Sequence, residues 1–149
     1  MNENAIFAAG CFWGVEEFFT KIKGINTTKV GYSGGIVDNP KYEQVCSGNT
    51  GHAECVSINF NNELLPYDAL LDYFWKCHNP TQLNQQGLDI GSQYRSAIFY
   101  LSQNQKEIAV RSKKNISKKY LTPVVTEITE AKIFFDAEEY HQNYLKKFR

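Results

Sequence analysis

The chain changes its hydrophobic period at Gly10-Cys11, and that switch limits what it can fold into. Ahead of it, Ala5-Ile6-Phe7-Ala8-Ala9 reads as a short buried strand. Behind it, Phe12, Val15, Phe19 and Ile22 recur with the spacing of an amphipathic helix. A cysteine therefore stands where a strand hands over to a helix, beside two large aromatics. One reading makes Cys11 a small core hydrophobe, since free cysteine is among the most buried residue types. The other makes it reactive: unpaired N–H groups and the positive helix end favour thiolate over thiol, with Glu16 and Glu17 in partial opposition. Phe12 belongs to the helix's apolar stripe. Trp13 lies off it and is the better candidate for a pocket wall.

Breakers divide the rest of the chain. Lys23-Gly24 ends the first helix. A strand, Ile25 to Tyr32, leads into a turn-rich segment, Ser33 to Gly51, and a second strand runs from His52 to Phe60. A helix opening at Pro66 carries Tyr67, Leu70, Leu71, Phe74 and His78 on one face until Asn79-Pro80 stops it. A polar loop, Thr81 to Ser92, precedes a strand from Gln93 to Leu101. Ser102-Gln103-Asn104-Gln105 reads as a capping box for a third, surface-lying helix. Strand-like residues follow at Val124 to Ile128 and Lys132 to Phe135, and Asp136-Ala137-Glu138-Glu139 reads as a capping box for a terminal helix. The order βαββαβ with C-terminal additions predicts an α+β fold, a two-layer sandwich of ferredoxin-like type with its helices on one face. Residues 1–149 are expected to form a single catalytic domain.

Charge and cysteine usage narrow the function. Sixteen basic and sixteen acidic residues leave no net charge, so a nucleic-acid partner held by counterion release is not expected. No apolar run approaches a membrane span, and Met1-Asn2-Glu3-Asn4 lacks the pattern of a signal peptide. The expected location is cytoplasmic, with Cys11, Cys46, Cys55 and Cys77 reduced. Cys46, His52 and Cys55, with Cys77 or His78, supply soft ligands but lack a close C-x-x-C knuckle, so no metal is expected.

Glu54 is the second telling residue. Strand alternation puts it on the face of Val56, Ile58 and Phe60, with Cys55 on the other face. A carboxylate there is disfavoured in its charged form and suits a general acid; the alternative is a solvated residue at the strand's first turn. Tyr32 and Tyr94 each fall at a strand end beside glycine-containing loops. On their own they read as packing rings with a hydroxyl for any nearby acceptor. Asp89, in Gly87-Leu88-Asp89-Ile90-Gly91, reads as a turn residue.

Together these residues resemble the A-type peptide-methionine sulfoxide reductases, the peptide-methionine (S)-S-oxide reductase family. Gly10-Cys11-Phe12-Trp13-Gly14-Val15-Glu16 is similar to that family's nucleophile segment. Gly31-Tyr32-Ser33-Gly34-Gly35, the run from Tyr42 through Val45-Cys46-Ser47-Gly48, Gly51-His52-Ala53-Glu54, and the run from Asp89 through Gln93-Tyr94-Arg95-Ser96 resemble its later blocks, in order. The resemblance implies that Cys11 attacks the sulfoxide sulfur and that protonated Glu54 donates to the oxygen, with Tyr32 and Tyr94 hydrogen-bonding it. It implies that Phe12 and Trp13 hold the substrate methyl and select the S epimer, and that Asp89 holds water or polar substrate groups. Methionine leaves and Cys11 becomes a sulfenic acid.

Many members end in a glycine-rich tail with a recycling cysteine, whereas this sequence stops at Lys146-Lys147-Phe148-Arg149. The protein is also expected to be a monomer with no bound cofactor. An external thiol (glutathione, glutaredoxin or thioredoxin) regenerates it, with Cys46 as the internal candidate for a resolving cysteine. A binding module or redox sensor, and a thiol peroxidase, are the rival readings. Nucleophile, acid and both tyrosines together argue against the first, and an aromatic wall beside the sulfur argues against the second.

Overall fold

Residues 1–148 are described by a computed structural model. Its elements are β1 (Asn2–Ala9), α1 (Phe12–Thr20), β2 (Ile25–Ser33), α2 (Tyr42–Cys46), β3 (Ala53–Asn61) and α3 (Tyr67–Lys76). A small hairpin of β4 (Gln85–Gln86) and β5 (Asp89–Ile90) follows, then β6 (Ser96–Tyr100), α4 (Gln103–Ser117), β7 (Glu127–Glu130) and β8 (Phe135–Asp136). This is a mixed α+β fold around one six-stranded sheet, ordered β7-β6-β1-β3-β2-β8. Every neighbouring pair is antiparallel except β6 and β7, which run parallel.

Strand alternation gives the sheet two unequal faces. Ala5, Phe7 and Ala9 join Val30, Tyr32, Val56, Ile58, Phe60 and Ile98 beneath α1, α3 and Ala109 of α4. Phe7 anchors this side, with its ring 5.8 Å from Phe19, 6.3 Å from Tyr67 and 4.8 Å from Phe74. Cutting such a fully buried ring to alanine costs about 3–5 kcal/mol. The opposite face is thinner: Ile6, Ala8, Cys55, Ala97 and Phe99 lie under Ala131 and Phe134.

Four segments depart from the sequence reading. The expected strand from Gln93 begins only at Ser96, because Ser92–Tyr94 forms a 3-10 turn. Arg95 holds that turn, its guanidinium donating to the Ser92 and Gly51 carbonyls and to Glu127. The polar loop contains the β4–β5 hairpin. Cys46 closes a short helix rather than lying in a loop. The expected terminal helix is absent; 3-10 turns at Glu139–His141 and Leu145–Phe148 take its place. Gln142 explains this, since its side-chain oxygen accepts the Val30 N–H and its amide donates to the Val30 and Ala137 carbonyls. The side chain acts as one more rung on the edge of β2, which a helix at this position could not supply. Among the described residues no helix is long and apolar enough to cross a membrane.

Candidate active site

Cys11 caps the start of α1 immediately after β1. Gly10 makes the junction possible: its φ is 104°, and an added Cβ would lie 2.9 Å from Gln86 Cβ. The hairpin is thereby seated directly against the residue that precedes Cys11. Cys11 is half-buried and unbridged. Burial and then the Glu54 charge push its thiol up to about 11, outweighing the Trp13 and Gly14 N–H groups that lower it; Asp89 adds to the rise. Of the two opposing influences the sequence showed at Cys11, helix terminus and carboxylate, the carboxylate side joined by burial prevails. The structure corrects the source of that opposition. Glu16 is turned away, accepting from the Thr28 hydroxyl and the Asn143 N–H, while Glu17 pairs with Lys21 at 3.4 Å.

Glu54 reaches the same point from β3. It is 1% exposed. Its Oε1 accepts the Phe12 N–H at 3.1 Å, satisfying one unpaired donor at the start of α1. Its Oε2 is buried and has no partner among the described residues. Burial raises the carboxyl from 4.5 to about 7; the Phe12 bond pulls it down and Asp89 pushes it up. A protonated Oε2 satisfies that atom only by donating to something that enters the site.

Tyr32 stands directly opposite Glu54 in the β2–β3 register. It is fully buried, with its ring 5.7 Å from Phe12. Its hydroxyl donates to Glu138 Oε1 at 2.9 Å, and Glu138 Oε2 accepts the Tyr42 N–H at 3.1 Å. Tyr94, on the 3-10 turn, is pushed up to about 12 by burial and then by Glu54, Cys46, Asp89 and Cys11. Those four negative or ionisable groups therefore lie within electrostatic reach of its hydroxyl. Asp89 is exposed on β5.

The aromatic wall is built from both ends of the chain. Phe12 is 1% exposed and packs against Tyr32, Tyr42 and His141. Trp13 stacks on Tyr144 at 3.9 Å and donates its indole N–H to His141 Nδ1 at 2.9 Å. The sequence reading missed Glu138, His141 and Tyr144 because the capping-box pattern assigned this segment to a terminal helix with no link to the site. A histidine and two tyrosines within that short run, at Tyr140, His141 and Tyr144, were the available signal.

Of the remaining candidates, only Cys46 is close enough to act on Tyr94. Cys46 is exposed at the end of α2, and its carbonyl accepts from Gln93 Nε2 at 3.5 Å. Burial first raises its thiol, partly offset by Tyr42. Cys55 lies in the thinner core and Cys77 at the end of α3; burial pushes each to about 12. His52 spends both ring nitrogens on loop backbone, accepting from Gly35 N–H and donating to the Val37 carbonyl. The residues weighed as zinc ligands are thus dispersed, and no group of three among the described residues could hold a metal ion.

Comparison with known proteins gives one answer. The family model described as peptide methionine sulfoxide reductase matches residues 3–149. Peptide methionine sulfoxide reductase MsrA of Clostridium botulinum (strain Okra / Type B1) is 52% identical over 142 residues, covering 95% of this chain and 90% of that protein. The reduced form of Mxr1 from Saccharomyces cerevisiae superposes with a TM-score of 0.94 at 36% identity, covering 98% of this chain and 85% of that one. Mxr1 in complex with Trx2 superposes with a TM-score of 0.70 at 26% identity, covering 96% of this chain and 84% of that one. The chain belongs to the peptide methionine sulfoxide reductase family.

Proposed function

We propose that residues 1–149 act as one catalytic domain that reduces methionine-S-sulfoxide, free or in proteins, to methionine. The observation that carries this reading is Glu54: one oxygen fixed on the Phe12 N–H, the other buried without a partner, facing Tyr32 across the strand pair. A sulfoxide oxygen leaves only when protonated, so a carboxylic acid held near neutrality is the group the step requires.

In the proposed step Cys11 sulfur bonds to the sulfoxide sulfur while the oxygen takes a proton from Glu54. Tyr32 and Tyr94 hydrogen-bond that oxygen. The substrate's sulfur–oxygen bond and the new sulfur–sulfur bond both break as the oxygen bonds to Cys11 sulfur, and methionine departs. Methionine sulfur gains two electrons and Cys11 loses two, which leaves a sulfenic acid. Only one proton is needed: it leaves the thiol and ends on the oxygen, so Cys11 and Glu54 require one proton between them. Stereoselection follows from three fixed directions at sulfur. With oxygen toward Glu54, methyl against Phe12 and Trp13, and the attack line from Cys11, one direction remains for the methionine chain. Asp89 at the rim suits a backbone or amino N–H of the substrate.

An external thiol regenerates Cys11, and a thioredoxin-type protein is the partner best supported, by the relative captured with Trx2. Every site residue comes from one chain, so a monomer suffices, and four free thiols suit a cytosolic, reducing compartment. We read β6-β1-β3-β2, with α1 and α3 as crossovers, as a ferredoxin-like core.

Mass spectrometry and thiol titration after one equivalent of a methyl sulfoxide, without reductant, test the reading. The expected result is stoichiometric methionine, with Cys11 alone oxidised. A Cys11–Cys46 disulfide would assign the resolving step to Cys46. Absence of methionine would overturn the reductase reading.

A further inference from the structure

A tyrosine hydroxyl has one proton to give, and the proton on Tyr32 is already committed. It goes to Glu138 Oε1 at 2.9 Å, while Glu138 Oε2 takes the Tyr42 N–H at 3.1 Å. Both donors are needed to satisfy one carboxylate, and only a carboxylate can accept both. Burial raises Glu138, but its own N–H, Tyr42, Tyr32 and His141 outweigh it and hold the group below the usual range, so it is ionised. The bond from Tyr32 is therefore a charge-assisted one, stronger than a bond to a neutral oxygen. Tyr32 stands opposite Glu54 in the strand register, and with its proton committed its hydroxyl has only lone pairs left to offer there.

We propose that Glu138 is a positioning residue that fixes Tyr32 as a hydrogen-bond acceptor, so that Tyr32 stabilises the sulfoxide oxygen only after that oxygen has been protonated. An unprotonated sulfoxide oxygen, an acceptor itself, gains nothing from Tyr32. Once Glu54 has delivered its proton, the S–OH group becomes a donor and Tyr32 accepts it. The interaction exists in the transition state and not in the bound ground state, which is where it accelerates the reaction. The proposal rests on the reductase reading above and sharpens the part taken by Tyr32 in it.

Glu138→Gln inverts the arrangement. The Tyr42 N–H is fixed by α2, so the amide oxygen must face it and the amide NH2 faces Tyr32. Tyr32 then accepts from Gln and turns its own proton into the site. The bound sulfoxide gains a hydrogen bond and the protonated oxygen loses one.

Single-turnover methionine release, measured against sulfoxide concentration, reads both. For Glu138→Gln the expected result is a half-saturating concentration about fivefold lower and a maximal rate about fivefold lower, the size of one neutral hydrogen bond. In a Tyr32→Phe background the same substitution changes neither by more than about twofold. A merely structural Glu138 gives the opposite: a raised half-saturating concentration, or losses that persist without the Tyr32 hydroxyl. Either would overturn the proposal. Tyr32→Phe alone provides a second test, because it leaves Glu138 in place. A slower rate with unchanged or tighter half-saturation supports the acceptor role, and weaker half-saturation overturns it. Failure of the wild-type protein to release methionine overturns the reductase reading itself, and is thus distinguishable.

Discussion

Glu16 and Glu54 are both 1% exposed, one on α1 and one on the strand beneath it, yet they are buried on different terms. Glu16 has a donor on each oxygen: the Thr28 hydroxyl at 2.8 Å and the Asn143 N–H at 2.7 Å. Glu54 has one donor, the Phe12 N–H, and an oxygen with none. A carboxylate satisfied on both sides fastens the C-terminal segment to α1 and β2. A carboxylate left half-satisfied stores a need for a proton, and that need is useful chemistry. Burial does not distinguish the two carboxylates; whether the second oxygen has a donor does.

The largest expected effect breaks the pair apart kinetically. Glu54→Gln lowers single-turnover methionine release by about 10²–10⁴-fold, the usual worth of a general acid, while Cys11 still reacts with an alkylating reagent. Glu16→Gln, assayed alongside, stays within about tenfold of the wild type because its amide still bonds both partners. Equal losses in the two variants would erase the distinction.

Stability reverses the ranking. Glu16→Ala costs about 2–3 kcal/mol in urea unfolding, because the Asn143 N–H and Thr28 lose their buried acceptor. Glu54 has its folded carboxyl raised from 4.5 to about 7. The folded protein holds that proton more tightly than the unfolded chain, so the stabilisation is complete below about pH 4.5 and is lost as pH rises through about 7. The loss is on the order of 3 kcal/mol and is absent in Glu54→Gln. His78 works the other way: burial lowers it from 6.5 to about 4, so its contribution is lost as pH falls through that range. Only the Glu54→Gln comparison separates the two.

The pH profile of the reaction is a finer test. Between about pH 7 and about pH 11 the Cys11–Glu54 pair holds one proton, the number the reaction needs. Single-turnover rates are therefore expected to be flat upward from about pH 7 and to fall below it, where a second proton must first be lost. Glu54→Gln lacks that acidic limb. A rate that keeps climbing about tenfold per unit well above neutrality would mean that thiolate formation alone is limiting. The smallest effect belongs to Cys77→Ala, expected to leave methionine release within about twofold, since the Cys77 sulfur touches only the end of α3, at the Phe74 carbonyl and His78 Nδ1, and the adjoining core.

Much of this was legible in the sequence, and the rest was hidden for a physical reason. Alternation in β3 placed Glu54 among Val56, Ile58 and Phe60 because a strand has a period of two whatever surrounds it. The period change at Gly10 located Cys11. What periodicity cannot report is a partner remote in sequence. Tyr32 meets Glu138, Trp13 meets His141 and Tyr144, and Glu16 meets Asn143, each more than one hundred residues away. The terminal segment read as a helix because its local signals were those of a cap, and tertiary hydrogen bonds by Gln142 overrode them. The balance at Cys11 stayed open for the same reason: the helix terminus was visible, whereas its burial and the closeness of Glu54 were not.

The account turns on one proton at one carboxyl. Infrared titration of the reduced protein, with Glu54→Gln subtracted to isolate the group, reads it directly. The account predicts a protonated carboxyl that disappears with a midpoint near pH 7. A carboxyl already ionised by pH 5, with an ordinary midpoint near 4.5, would contradict it.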